Sequence, residues 1–163
     1  MNRAFVGVGS NIHRDKSVRA AVARLREEFG ALQISTVYES PAWGFEGDNF
    51  YNLVVAFETG LAPLELTQQL HAIETDLGRK RDTPRYSSRI IDIDLLLYGA
   101  LVRHDEDVDI PRPDIRKFAF VLRPLAEIAP DMRHPETGET FTAMWQAPGR
   151  PDQELWPVDL GTL

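Results

Sequence analysis

Two stretches of helical apolar spacing, each closed by a glycine, alternate with four strand-like runs, and that order leaves few folds open. Within residues 16–29 the apolar side chains fall at Val18, Val22, Leu25 and Phe29; within 63–77 they fall at Leu66, Leu70, Ile73 and Leu77. Both sets follow an i, i+4, i+7, i+11 rhythm, which is one face of a helix. Gly30 and Gly78 suit helix C-caps, and Pro63 suits a first turn. Residues 4–9, 32–38, 50–59 and 90–98 are rich in β-forming types, several at period two, and predict strands. In the third of these, Tyr51, Leu53, Val55 and Phe57 share a face. Strand, helix, strand, strand, helix, strand is the βαββαβ order of a ferredoxin-like α+β domain, an antiparallel sheet with both helices packed on one face. A short helix over 116–122 and a proline-rich segment after His134 read as C-terminal additions. The expectation is one domain over 1–163, with 135–163 left open.

Net charge restricts the partners. At −7 the chain is a poor general binder of nucleic acid or anionic membrane. The same element order builds RNA-recognition modules, but those need a basic sheet surface with exposed aromatics. Without cysteine, disulfides, zinc–thiolate sites and thiol catalysis are excluded. His13, His71, His104 and His134 show no metal-ligand spacing. No apolar run approaches the ~18 residues of a membrane span, and the N-terminus runs directly into strand-like sequence, so a cytoplasmic protein is expected. Small molecules are the expected partners; protein partners stay open.

The chemistry concentrates around residues 79–99. Asp92 and Asp94 lie two apart on an apolar strand, so they project together while Ile91, Ile93, Leu95 and Leu97 face the other way. Paired carboxylates repel and cost energy to desolvate, and a divalent cation removes both problems. Magnesium takes one or two carboxylates and completes its shell with water and phosphate oxygens. A solvent-facing strand start is the alternative reading of the pair. Immediately upstream come Arg79, Lys80, Arg81, Arg85 and Arg89, suited to gripping a polyphosphate from an irregular loop. By itself such a run is more often a solvated loop; beside the aspartates it reads as a phosphoryl-transfer arrangement. No Gly-x-x-x-x-Gly-Lys-Ser/Thr run is present, and Gly7-Val8-Gly9 lacks a third glycine at Ile12, so neither a P-loop nor a dinucleotide fingerprint is supported. Ser40-Pro41-Ala42-Trp43-Gly44 and Phe50-Tyr51-Asn52 place aromatic rings and an amide where a flat heterocycle can be held, although aromatics at strand ends are commonly core.

These pieces together resemble the 6-hydroxymethyl-7,8-dihydropterin pyrophosphokinases of folate biosynthesis. The resemblance runs from about Phe5 to His134 and rests on Gly7-Val8-Gly9-Ser10-Asn11, Tyr51-Asn52, Glu74, Gly78-Arg79-Lys80-Arg81, the block from Arg89 through Asp92 and Asp94 to Gly99, and the stretch from Phe120 to Pro130. It implies diphosphate transfer from ATP to the pterin hydroxymethyl group, with AMP leaving. Two magnesium ions on Asp92 and Asp94 are implied, with Arg81 and Arg89 on phosphates and His71 and Glu74 near the nucleotide. The pterin is then expected between Trp43 or Phe50 and Phe120, with Asn52 reading its polar edge and Ser40 and Pro41 assisting. The sequence departs from the family at two triphosphate contacts. Arg112 stands where His is usual, and Phe118 where Arg is usual. Arg112, Arg116 or Lys117 is the expected source of the replacement charge. Ser87-Ser88 replaces the usual Gly-Pro. A catalytically weak relative that binds pterin or nucleotide is the alternative that these departures raise.

Overall fold

The computed structural model describes residues 1–80 and 84–163. Its first elements are β1 (Asn2–Ser10), α1 (Arg14–Phe29), β2 (Gln33–Ile34), β3 (Val37–Ser40), β4 (Phe50–Thr59), α2 (Pro63–Asp76) and β5 (Asp92–Tyr98). A small hairpin follows, β6 (Arg103–His104) with β7 (Asp109–Ile110), then α3 (Asp114–Lys117), α4 (Ala119–Ile128), α5 (Phe141–Gln146) and β8 (Trp156–Val158). The result is an α+β protein around an antiparallel sheet ordered β5-β1-β4-β3-β8, with β2 also on β4.

Both glycine stops behave as their chemistry requires. Gly30 and Gly78 have φ of 80° and 102°, the left-handed region that a side chain disfavours. Pro63 opens α2, and Glu65 accepts the Ala62 N–H at 3.3 Å.

Three expectations need correction. The strand expected over 32–38 is two short ones, because side chains supply the hydrogen bonds between them. Ser35 bonds Val54 through its backbone and its hydroxyl, at 2.9 Å each, while Thr36 N–H and Oγ1 donate to Glu127 at 2.8 and 2.9 Å. The helix expected over 116–122 is likewise divided, at Phe118, whose extended backbone (φ −123°, ψ 126°) separates α3 from α4. The third concerns β5. Its pairing with β1 shifts between Phe5 and Val6, which face Leu97 and Leu95. A bulge of this kind inserts one residue and resets the alternation. Ile91, Ile93 and Leu95 therefore pack on one face, but Leu96 and Leu97 both join the core on the other.

The two faces of the sheet carry separate apolar clusters. One joins Val6, Val8, Leu53, Val55, Phe57 and Ile93 to Val18, Val22 and Leu25 of α1 and to Leu66, Leu70 and Ile73 of α2. Phe29 stacks on Phe57 here, with centroids 4.1 Å apart. Fully burying side chains of this size is worth about 1.5–3 kcal/mol each, so this face anchors the sheet. On the opposite face Phe5, Val54, Ala56 and Leu97 meet Ile115, Leu122, Leu125 and Phe141 of α3, α4 and α5. The C-terminal segment returns to the sheet edge, where β8 pairs with β3, and Arg19 and Arg26 of α1 donate to the carbonyls of Leu160 and Leu163. Among the described residues, no helix is long and apolar enough to cross a membrane.

Candidate active site

The site lies where three neighbouring strands change character along the second face. Moving out from the apolar cluster, β1 goes from Phe5 to Gly7 and Gly9, β4 from Ala56 and Val54 to Asn52 and Phe50, and β5 from Leu96 to Asp94 and Asp92. Large apolar groups give way to bare backbone, an amide and carboxylates. A cleft of about 290 Å³ opens there.

One end is ionic. Asp92 and Asp94 are 30% and 34% exposed, and both line the cleft. Arg79 forms an ion pair with Asp92, and Arg89 Nε stands 3.8 Å from the same carboxylate. Arg112 Nη2 stands 3.8 Å from Asp94, and its Nε is 3.3 Å from Asp114. Burial, then the charge of Asp94, pushes the Asp92 carboxyl up to about 7, against the opposing pull of Arg79. A hard divalent cation fits this donor set of carboxylate oxygens. Among the described residues no group of three or more His, Asp or Glu side chains gathers as metal ligands, so water or phosphate oxygens would complete the shell.

The basic loop is tied down at its C-terminal end. Arg89 is buried at 8% exposure; its guanidinium donates to Ser87 Oγ and to the carbonyls of Pro84 and Arg85, at 2.6, 2.6 and 2.9 Å. Asn11 accepts the Arg89 N–H at 2.7 Å and donates to Asp48 O and Ser88 Oγ. One amide thus joins the end of β1 to two loops bordering the cleft. Arg81, expected beside Arg89 on the phosphates, lies outside the described residues.

The other end is aromatic. Ser40, Pro41, Trp43, Phe50, Asn52 and Phe120 all line the same cleft as the aspartates. Asn52 Nδ2 donates to Ser40 Oγ at 3.4 Å. Phe118 stacks on Phe120 with centroids 4.9 Å apart and 16° between planes, and Trp43 meets Phe118 and Tyr86 edge-on at 5.0 and 5.1 Å. At the position where the resemblance leads one to expect a cation, Phe118 extends the aromatic wall. Arg116 and Lys117 line neither this cleft nor the next one; among the described residues Arg112 is the replacement candidate that faces Asp94.

His71 lines an adjoining cleft of about 180 Å³, between α2, β5 and the β6–β7 hairpin, to which Asp94 and Arg112 also contribute. Glu74 is placed differently from the expectation. It is 1% exposed and lines neither cleft; Oε2 accepts the Ile93 N–H at 2.6 Å and pairs with Arg79 at 3.2 Å. It shares the buried face of α2 with Leu66, Leu70 and Ile73, and a carboxylate there must find donors in the protein. Glu74 therefore supports the site from beneath.

Tyr86, Phe118 and Asp114 carry no site role in the sequence reading. Arg79 lies within the basic run but is found on Asp92 and Glu74, and Phe118 is visible only as a departure. Tyr86 and Asp114 carried no pattern of their own; chain packing brings them in.

Carboxylates for a divalent cation, guanidinium groups for phosphate oxygens and an aromatic slot together make up what metal-assisted phosphoryl transfer to a flat substrate draws on. The sequence matches the 7,8-dihydro-6-hydroxymethylpterin-pyrophosphokinase (HPPK) family over residues 5–130, and the chain belongs to that family. It is 39% identical over 137 residues to the 2-amino-4-hydroxy-6-hydroxymethyldihydropteridine pyrophosphokinase of Aquifex aeolicus, covering 83% of this chain and 85% of that one. It is 42% identical over 136 residues to the enzyme of the same name from Methylorubrum extorquens, covering 81% and 85%. The crystal structure of Plasmodium falciparum HPPK-DHPS is similar in fold, with a TM-score of 0.68 at 16% identity over 88% of this chain. This chain spans 44% of that longer one.

Proposed function

We propose that this cleft performs the family's reaction, moving the terminal diphosphate of ATP onto 6-hydroxymethyl-7,8-dihydropterin in folate biosynthesis. The pterin hydroxyl oxygen forms a bond to the β-phosphorus and releases its proton to solvent. The bond from that phosphorus to the α–β bridging oxygen breaks, and AMP leaves with the bridging oxygen. The observation behind the reading is that the heterocycle slot and the carboxylate pair share one continuous cleft.

Each residue then has a task. Phe50 and Phe120, with Trp43 beside them, hold the ring; Asn52 reads its hydrogen-bonding edge, set by Ser40, with Pro41 shaping the entrance. Asp92 and Asp94 would hold magnesium, read as two ions, and the bound metal would supply charge compensation for the triphosphate. Arg89 and Arg81 grip phosphate oxygens, while Arg112 and His71 face the nucleotide from the adjoining cleft. Glu74 keeps β5 and Arg79 in register. The first six major elements are read as a ferredoxin-like unit on the strength of the sheet order, within one domain over 1–163. A cytoplasmic setting fits ATP as the donor.

The direct test is AMP release from ATP and magnesium, with and without the pterin. AMP formed only with pterin, and lost in Asp92→Ala, is expected. Saturable pterin or nucleotide binding without AMP would overturn the catalytic reading.

A further inference from the structure

Gly9 lies at the middle of the cleft floor. On β1 it is registered against Asn52 of β4 on one side and Asp92 of β5 on the other. Adjacent strands run about 4.8 Å apart, so the amide that reads the ring and the first carboxylate flank this one residue.

The reason for glycine here is space. Gly9 is not among the glycines with positive φ, so alanine is compatible with its backbone. A Cβ at this position, however, would lie 2.6 Å from Asn52 Oδ1 and 3.7 Å from its Cγ. The amide would have to turn away and give up its bond to Ser40 Oγ, now 3.4 Å. Gly7, the other β1 glycine on this face, differs: its Cβ would meet Leu96 at an ordinary 3.6 Å.

We propose that Gly9 is a positioning and specificity-determining residue, whose missing side chain fixes the Asn52 amide at the edge of the cleft where the ring is read. This rests on the reading of Asn52 as the group that recognises the pterin edge.

The test compares Gly9→Ala, Asn52→Ala and the double variant. Gly9→Ala is expected to raise the KM for pterin by roughly ten- to a hundredfold, the scale on which losing an amide's hydrogen bonds to a ring edge weakens binding. The KM for ATP should stay near its starting value. Adding Gly9→Ala to Asn52→Ala should cost little more, because the group it displaces is gone. In the unliganded protein, nuclear magnetic resonance of the Asn52 side-chain amide should show a clear shift in Gly9→Ala. An unmoved amide, or an equal loss in both backgrounds, overturns the proposal. Asn52→Ala with normal pterin dependence overturns the recognition reading and the specificity role with it; the amide shift separately reads the contact. Should Gly9→Ala fail to fold, the double variant, free of the overlap, is expected to fold, and its failure also overturns the proposal.

Discussion

The Glu74 carboxylate, 1% exposed on α2, accepts the backbone N–H of Ile93 at 2.6 Å, holding β5 at the residue between its two aspartates. The same oxygen pairs with Arg79, which in turn holds Asp92. The acid pair is thus positioned from below by a charge that never faces the cleft.

Glu74→Ala should lower stability by about 2–4 kcal/mol, because it strands a buried N–H and weakens the hold on Arg79. Glu74→Gln, which keeps an acceptor for Ile93, should lose distinctly less. Urea unfolding checks both; an alanine variant as stable as the parent would sink this account.

Asp94→Ala should cut magnesium-dependent turnover by about 10²–10³ or more, in line with the loss of one electrostatic stabiliser at a reacting centre. Its effect on stability should be small, since the residue is one-third exposed and Arg112 keeps Asp114. Turnover near the parent's would remove Asp94 from the metal site.

Arg112→Ala should raise the KM for ATP far more than that for pterin. A charge-assisted contact worth about 1.5–3 kcal/mol corresponds to roughly tenfold or more. Arg112→His, which installs the residue usual in the family, should recover part of the loss. Unchanged ATP dependence in the alanine variant would mean that Arg112 does not meet the triphosphate.

His134 predicts a pH effect on stability away from the site. It is 2% exposed, and its Nδ1 accepts the N–H groups of Glu136 and Thr137 at 3.1 and 3.3 Å. Burial, then the charge of Arg116, holds its pKa below the ordinary 6.5. The folded state therefore favours the neutral ring. Its contribution is present above 6.5 and fades as pH falls through the folded pKa. The urea midpoint of the parent, relative to that of His134→Asn, which retains an acceptor, should fall between about pH 7 and about pH 5. Equal slopes would show that His134 is not the group responsible.

Local rules carried much of the architecture. Helix faces, glycine stops and the period-two strand over 50–59 are written in short-range spacing, and so is the placement of Asp92 beside Asp94. Features that depend on a distant partner were not legible. Ser35 and Thr36 break a strand because Val54 and Glu127 supply their bonds, and the β5 bulge exists only against β1. The resemblance puts Glu74 near the nucleotide, whereas the face of α2 that meets the core buries it against Ile93 and Arg79.

By itself, then, the sequence determined the two long helices and the strands near 4–9 and 50–59, the acid pair, the basic run and the family they resemble, because each depends on residues near one another in the chain. The tertiary structure alone decided that Asn52, Gly9 and Asp92 stand side by side on three strands, that Phe118 completes an aromatic wall with Trp43 and Phe120, and that Arg112 faces Asp94. Those neighbours are set by sheet register and by the packing of α3 and α4 against it, where residues far apart in sequence come together only when their apolar faces are buried.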